Sequence, residues 1–223
     1  MRKTLFSASL LALAVAAPLA QAHQAGDILV RAGAVTVDPR EDSGSIKLNG
    51  TALPGSSQAT LNSDTQLGLN FAYMVTDKIG IELLAATPFS HDVGVKTTLL
   101  GNSQLGELKH LPPTLSVVYY PLDSKAVFQP YVGLGVNYTW FFDTELTSGA
   151  ETAGFSGLDM KDSWGLAGQI GADFMLTDNI MLNAQLRYID IETTGTTSFA
   201  GGKVTVDVDV DPWVYMVGLG YRF

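Results

Sequence analysis

The sequence predicts an all-β protein that forms an eight-stranded antiparallel up-and-down transmembrane β-barrel. Large apolar residues alternate with small or polar residues in eight segments, and this period of two is typical of strands with one apolar face. The connections between these segments alternate long and short, as they do in barrels with long outer loops and short periplasmic turns. Although 46% of the 223 residues are hydrophobic, no stretch after residue 22 offers the roughly 18 consecutive apolar residues that a membrane helix needs.

The first 22 residues carry the features of a secretory signal peptide. Arg2 and Lys3 precede a long apolar stretch, and Ala20-Gln21-Ala22 has the small residues of a cleavage site. We therefore expect a signal peptide at residues 1–22, an outer-membrane β-barrel at 23–223, and export to the outer membrane of a Gram-negative bacterium.

Charge and cysteine usage narrow the possible classes further. The chain contains no cysteine, which argues against a lipoprotein anchor and against disulfides. The formal net charge of −9 becomes −11 when the two cationic residues Arg2 and Lys3 leave with the signal peptide. An exported chain this acidic is poorly suited to bind nucleic acid.

The first four segments are predicted from their alternation and from the connections that end them. They span residues 27–37, 67–75, 79–86 and 113–120, and the tight turn Thr76-Asp77-Lys78 joins the second to the third. A long polar loop follows the first segment, to about residue 62, and a second long loop follows the third, at roughly residues 89–109. The side chains expected to face lipid are Ile28, Val30, Ala32, Ala34, Leu67, Leu69, Phe71, Tyr73, Val75, Ile79, Ile81, Leu83, Ala85, Leu115, Val117 and Tyr119.

The last four segments span residues 128–142, 164–174, 182–188 and 213–223. Short turns lie around residues 122–124 and 177–179, and the long loop after the fifth segment has room for a short helix. The side chains expected to face lipid are Val132, Leu134, Val136, Tyr138, Trp140, Trp164, Leu166, Ile170, Ala172, Phe174, Leu182, Ala184, Leu186, Tyr188, Trp213, Tyr215, Val217, Leu219, Tyr221 and Phe223.

The final segment supports closure of the barrel. A terminal strand with an apolar face must pair on both sides, because an open edge is not tolerated in lipid. Phe223, with Tyr221 two residues before it, resembles the closing strand of bacterial outer-membrane proteins. This resemblance implies that the barrel-assembly machinery recognises the C-terminal strand.

The apolar pattern changes phase at Pro212. From Val204 to Val210 the apolar residues occupy even positions, and after Pro212 they occupy odd positions. Either a one-residue bulge restores the phase, or the acidic half projects above the lipid. We favour the second interpretation, because a single strand from Val204 to Phe223 far exceeds the ~9–11 residues needed to cross a membrane.

Inward-facing residues divide by height along the barrel. An eight-stranded barrel is just wide enough to be filled by side chains, so buried charges must pair. We predict a periplasmic plug of Arg31, Glu82, Asp173 and Arg222, although the charges could do no more than fill the barrel. Above it we predict an open apolar funnel lined by Val35, Val37, Leu84, Ala86, Pro88, Phe141, Ile189, Ile191, Val214 and Met216.

The funnel predicts a binding site for small hydrophobic molecules, because a purely structural barrel gains nothing from exposing apolar surface to outer water. Such a molecule cannot continue through the plug without desolvating its charges. The remaining exit is sideways through the wall. Pro112 and Pro113 mark a candidate lateral opening, since two prolines remove two ladder donors, but they could equally do no more than end a loop.

Seven ordered blocks across the mature chain carry a family resemblance: Arg31-Ala32-Gly33, 65–69, 80–89, 110–114, 130–133, 161–165 and Asp211-Pro212-Trp213. In these blocks the chain resembles the OmpW family of bacterial outer-membrane proteins, which includes alkane-uptake members. The resemblance implies a narrow hydrophobic channel, closed toward the periplasm, that releases small hydrophobic compounds laterally. It also implies a constriction by a Leu and a Trp; Leu84 matches the Leu, but Arg187 stands at the Trp position and could pair with Glu82 instead.

Rival functions have weaker support in the sequence. His91 and His110 could share one rim, but no nucleophile motif accompanies them, so we expect no enzyme, no metal site and no cofactor. The acidic residues Asp207, Asp209 and Asp211 could hold divalent ions that bridge lipopolysaccharide, although a solvated acidic face explains them as well. We expect contacts with lipopolysaccharide and outer-membrane lipid, and none with nucleic acid. A structural, adhesive or receptor barrel that acts through its extracellular loops is the main alternative to transport.

Overall fold

Eight antiparallel strands close into a barrel in this computed structural model, which describes residues 23–53, 57–97 and 101–223. The strands of the described chain are β1 (Ile28–Asp38), β2 (Asp42–Ser43), β3 (Lys47–Leu48), β4 (Thr51–Ala52), β5 (Ser57–Leu61), β6 (Asp64–Met74), β7 (Ile79–Ala86), β8 (Phe89–Thr97), β9 (Gly101–Leu111), β10 (Thr114–Tyr119), β11 (Phe128–Leu146), β12 (Phe155–Met160), β13 (Ser163–Met175), β14 (Ile180–Ile189), β15 (Glu192–Phe199), β16 (Gly202–Asp209) and β17 (Trp213–Arg222). The helix α1 (Ser148–Thr152) lies between β11 and β12. The predicted signal peptide lies outside the described residues.

The barrel strands follow the order β10-β7-β6-β1-β17-β14-β13-β11, and β11 pairs back with β10 to complete the ring. Strands β1 and β17 run antiparallel from the pair Leu29 and Arg222 to the pair Asp38 and Trp213. The first and last strands therefore remove each other's open edge. All eight predicted segments are confirmed as barrel strands.

The outer face of the barrel is apolar between two bands of aromatic side chains. Leu134 is 77% exposed and Leu166 is 69% exposed on this face. Contact of so many large apolar side chains with water would carry a large free-energy cost, which contact with lipid avoids. The band at the end with the termini and short turns contains Tyr73, Tyr119, Phe128, Phe174, Tyr221 and Phe223; the opposite band contains Tyr138, Trp140, Trp164, Tyr188 and Trp213. Such girdles are typical of the two interfaces of a transmembrane barrel. Among the described residues, no helix is long and apolar enough to cross a membrane.

The long loops continue the fold beyond the upper aromatic band. Strands β5, β8 and β9 extend the barrel wall onto β11, while β12, β15, β16, β3 and β4 form a second sheet, with β2 also on β16. The short helix expected after the fifth segment is present as α1, with Thr147 as its N-cap.

The phase change at Pro212 is explained by the end of one strand and the start of another. Strand β16 pairs with β15 in the second sheet and ends at Asp209, whereas β17 enters the barrel at Trp213. Asp211 between them has a positive φ of 38°. The acidic half therefore belongs to the extracellular sheet, as favoured above, and β17 needs no bulge.

Candidate functional site

A network of buried charges crosses the lower half of the barrel. Arg31 donates to both carboxylate oxygens of Asp173, from Nε at 3.0 Å and from Nη2 at 2.6 Å. Its Nη1 donates to Asn70 Oδ1 at 2.9 Å and to Glu82 Oε2 at 3.3 Å. All four side chains are fully buried. Such paired charges are stable in a barrel interior because each carboxylate is held by a cation and by further hydrogen bonds.

Arg187 belongs to the same network. Its Nη2 donates to Glu82 Oε1 at 2.8 Å and its Nε donates to Gln169 Oε1 at 2.8 Å; Nη2 also contacts Gln169 Oε1. Gln169 in turn donates from Nε2 to Glu82 Oε1 at 2.9 Å. We name Arg31, Asn70, Glu82, Gln169, Asp173 and Arg187 together the polar floor. Its two arginines and two carboxylates balance in formal charge.

Arg222 does not lie where the plug prediction placed it. Its Nη1 is 3.7 Å from Asp27 Oδ2, and both side chains are only partly buried. Arg222 stands opposite Leu29 in the ladder, two residues nearer the periplasmic rim than Arg31. It is therefore at the wrong height to pair with Asp173, and Asp27 at the rim is its carboxylate instead.

His23 and Tyr120 complete the floor, and sequence reasoning missed both. His23 Nε2 lies 3.1 Å from Asp173 Oδ2, and its ring packs edge-on against Tyr120 at a centroid distance of 4.8 Å. The Tyr120 hydroxyl accepts from Arg31 Nη2 at 2.8 Å. The backbone N–H of Ala25 donates to Asp77 at 2.8 Å and holds this segment against the barrel end. The inward parity of Tyr120 was a usable signal, whereas nothing in the sequence placed His23.

An apolar layer lies below the polar floor, which was not expected. It consists of Leu29, Ala72, Met74, Val118, Met175 and Met181, with Val127 packed against it. Tyr120 and Tyr131 of the same cluster also contact Arg31 in the floor. The periplasmic end is thus not simply charged: the ionic layer is enclosed by side chains on its periplasmic side as well.

The predicted funnel residues do come together above the floor, but they fill the space. Every predicted lining residue except Pro88 belongs to or packs against one buried cluster, which also includes Ala59, Phe89, Ala167, Val208 and Val210. We name this set the upper apolar cluster. The cavity within it measures only about 10 Å³, room for one water molecule at most.

The prediction of an open funnel is therefore wrong for this conformation, and Pro88 is exposed rather than part of the lining. The reason lies in the loops. Strands β5, β8 and β16 fold over the mouth and insert Ala59, Phe89 and Val208 between the barrel side chains. The sequence pattern places these segments outside the barrel, so it does not assign their apolar residues to the interior.

The backbone ladder between β7 and β10 is interrupted beside this cluster. The pairing of the two strands ends at Leu84 with Thr114, and pairing resumes higher up at Phe89 with His110. Residues 85–88 are not paired with residues 111–113. Ala85, Ala86, Phe89 and Pro112, on the two sides of this interruption, all line the small cavity.

The structure brings His91 and His110 together, as expected for residues on one rim. Their rings stack at 4.8 Å, and both side chains are buried between Phe89 and the extracellular strands. The outward residues of the same two strands include Ser90, Asp92 and Lys109, so the pair lies outside the membrane-spanning segments. His91 Nδ1 lies 2.5 Å from the carbonyl oxygen of Asn62.

Burial lowers the pKa of both imidazoles. Loss of hydration is the largest cause for each, and the neighbouring His91 adds to the effect on His110, whose pKa falls to about 3. Both rings are therefore neutral at physiological pH. In the part of the chain that the structure describes, no three His, Asp or Glu side chains are grouped to hold a metal ion.

Comparison with known proteins decides the family. The family model described as "OmpW family" matches residues 24–223. The chain belongs to the OmpW family. Among OmpW-family relatives, it is 44% identical to Outer membrane protein W of Vibrio cholerae serotype O1 over 224 residues, which covers 100% of both chains. It is 31% identical over 183 residues to Outer membrane protein AlkL of Ectopseudomonas oleovorans, covering 82% of this chain and 76% of that protein.

A solved structure of an outer-membrane protein agrees with the fold. The crystal structure of the outer membrane protein OprG from Pseudomonas aeruginosa superposes with a TM-score of 0.87 at 50% sequence identity, covering 91% of this chain and 98% of that one. The chain is therefore an outer-membrane β-barrel protein.

Proposed function

We propose that this barrel is a passive outer-membrane channel for small hydrophobic molecules, which enter from outside and leave sideways into the bilayer. The observation that carries the proposal is the interrupted ladder between β7 and β10. It borders the upper apolar cluster, and residues from both of its sides line the cavity inside. A solute in that cluster is separated from the lipid by side chains and not by a continuous row of hydrogen bonds.

The polar floor supports lateral release over axial passage. An apolar solute that moved toward the periplasm would have to separate Arg31 from Asp173 or Arg187 from Glu82, all fully buried. Breaking one buried ion pair costs about 3–5 kcal/mol. The apolar layer beneath the floor opposes water in the same way, so neither kind of molecule has a low-energy route along the axis.

The filled cluster makes the proposed channel a gated one. A benzene-sized molecule occupies a cavity of roughly 150 Å³, whereas the closed cluster leaves about 10 Å³. Phe89 is the side chain whose displacement provides the room, because it comes from the loop strand β8 and not from the barrel wall. We infer that opening moves β8 and that Leu84 and Arg187 form the lower boundary of the opened space.

A second candidate is a structural, adhesive or receptor barrel that acts through its loops. The filled mouth favours it, together with the extracellular sheet of β12, β15, β16, β3 and β4. The two candidates differ in which variants matter: transport depends on the upper apolar cluster, whereas loop-mediated binding depends on exposed residues of the extracellular sheet.

An uptake assay in proteoliposomes separates them. Leu84→Asp places a charge in the upper apolar cluster and should abolish uptake of a hydrophobic fluorescent probe. Leu53→Asp is the matched control, because Leu53 is 42% exposed on the extracellular side, and it should leave uptake unchanged. Equal uptake by both variants and the wild type would exclude a path through the cluster.

Crosslinking tests the lateral exit itself. The chain has no cysteine, so Ala86→Cys combined with Pro112→Cys allows the interruption to be closed by oxidation or by a short thiol crosslinker. Uptake should fall on crosslinking and return on release of the link. The pair Ile81→Cys and Val117→Cys lies where β7 and β10 are already paired, and it should show no such effect. Unchanged uptake in the closed Ala86 and Pro112 pair would refute lateral release.

A further inference from the structure

Arg187 uses only part of its hydrogen-bonding capacity. The side chain is fully buried, and its Nε and Nη2 donate to Gln169 and Glu82. Its Nη1 has no hydrogen-bond partner among the described residues. A buried guanidinium nitrogen with two unused N–H groups is uncommon, because each unpaired donor of a charged group carries the full cost of its lost hydration.

The anionic partners of the polar floor are unequally shared. Asp173 is engaged by Arg31 through two hydrogen bonds and also by His23. Glu82 lies between the two arginines: Arg31 reaches its Oε2, and Arg187 reaches its Oε1, which Gln169 also contacts. Arg187 therefore has only Glu82, which it shares with Arg31, whereas Arg31 also has Asp173.

Arg187 also stands at the top of the polar floor. The next inward residue along its strand is Ile189, and its partner in the ladder is Val214. Both belong to the upper apolar cluster and line its small cavity. The less satisfied of the two arginines is thus the one next to residues that line the apolar space.

We propose that Arg187 is the recognition residue for the head group of the solute, and that the preferred solute is an apolar chain that ends in a carboxylate. This inference rests on the proposed function, and it names the class of molecule for the same site. The chain of such a solute lies among the apolar side chains, and its carboxylate accepts from Nη1 of Arg187. A charge-assisted bond of this kind is stronger than one to a neutral acceptor and has no counterpart for a plain hydrocarbon.

Binding and flux are measured separately so that the two proposals can fail independently. The protein is reconstituted in phosphatidylcholine nanodiscs and titrated with octanoate carrying a ¹³C label at its carboxyl carbon, with octanol as the neutral competitor. Uptake of the same two molecules is followed in proteoliposomes. The test residue is changed by Arg187→Met and Arg187→Lys; Arg40→Met, at an exposed position on the extracellular side, removes the same charge away from the cluster.

The wild type and the Arg40 variant should bind octanoate at least about tenfold more tightly than octanol. In the wild type, the ¹³C resonance of the octanoate carboxyl carbon should shift on binding. The Arg187→Met variant should lose both this shift and the preference for octanoate, and Arg187→Lys should retain part of the preference. An equal preference in the wild type and in Arg187→Met overturns the inference, as does a wild type without any preference, which would mean that a water molecule alone occupies Nη1. If octanoate binds through Arg187 and neither molecule is taken up, the recognition site stands and the channel function fails.

Discussion

Replacing Asp173 by asparagine should remove a large fraction of the stability of the barrel. Asp173 Oδ2 accepts from Arg31 at 2.6 Å and lies 3.1 Å from His23, and Oδ1 accepts from Arg31 at 3.0 Å and from Asn183 at 2.8 Å. An asparagine cannot accept on both sides, so its amide would face the donors of Arg31. Arg31 would then retain only its 3.3 Å contact with Glu82 as an ionic partner.

The expected loss follows from the burial of the pair. Both side chains have no exposed surface, and removing one partner of a buried ion pair costs about 3–5 kcal/mol. Domains are stable by roughly 5–15 kcal/mol, so the Asp173→Asn variant should unfold at a much lower urea concentration. The measurement is reversible urea unfolding from lipid vesicles, followed by tryptophan fluorescence of the three Trp residues.

Asp207→Asn is the matched control for the same change of side chain. Asp207 accepts from Lys47 at 3.0 Å, but its side chain is 60% exposed, and exposed pairs contribute about 0–1 kcal/mol. If Asp173→Asn lost no more than Asp207→Asn, the ionic layer would not be what stabilises the barrel interior, and the energetic reason for a closed axis would fall with it.

Three further outcomes are expected. Burial lowers the pKa of His110 to about 3 from ~6.5 in the unfolded chain, so neutral His110 contributes its full stability above about pH 6.5 and the protein loses that stability as the pH falls. The free energy of unfolding should therefore drop by about 1 kcal/mol between pH 7.5 and 5.5. An equal drop in a His110→Phe variant would contradict this assignment. His23→Ala should lower the free energy of unfolding by about 1–3 kcal/mol, because Asp173 loses a hydrogen-bond partner and Tyr120 loses the ring packed against it. Gln24→Ala should not, and an equal loss in both variants would exclude His23 as a stabilising part of the floor. Phe89→Ala should raise the basal uptake of a small apolar probe. It should also lower the free energy of unfolding by about 3–5 kcal/mol, because it leaves a cavity. Unchanged uptake with lowered stability would mean that Phe89 is not the gate.

The barrel itself was predictable because its signal is local and repeated. Residues 67–75 and 213–223 alternate so regularly that the facing of each side chain follows from its position alone. Inward parity also placed Arg31, Glu82 and Asp173 in the interior, and the need to pair buried charges placed them together. The short turns indicated which consecutive strands are neighbours in the barrel, even before the pairing of residues was known.

The closed mouth was not predictable for a physical reason. Phe89 and Ala59 reach the interior because β5 pairs with β8, and Val208 reaches it because β16 pairs with β15 and the short strand β2. The pairings of β5 with β8 and of β2 with β16 join segments that are far apart in sequence. The sequence of such a loop shows no periodic pattern that distinguishes an inserted apolar residue from an exposed one. Parity likewise placed Arg222 inside but could not show that Asp27 at the rim would be its carboxylate.

The sequence of layers along the axis limits what this barrel can transmit. From the periplasm upward, the interior passes from the apolar side chains around Met74 and Met181 to the polar floor, then to the upper apolar cluster, and finally to the stacked histidines. Water on this axis has to cross two apolar layers, and an apolar solute has to cross one ionic layer. Each kind of molecule therefore meets at least one layer whose side chains interact with it unfavourably. A barrel built only to resist leakage needs one such layer. The proposed lateral release requires this alternation of layers together with a ladder interrupted beside the upper one, because an apolar molecule would then meet the least resistance at the wall.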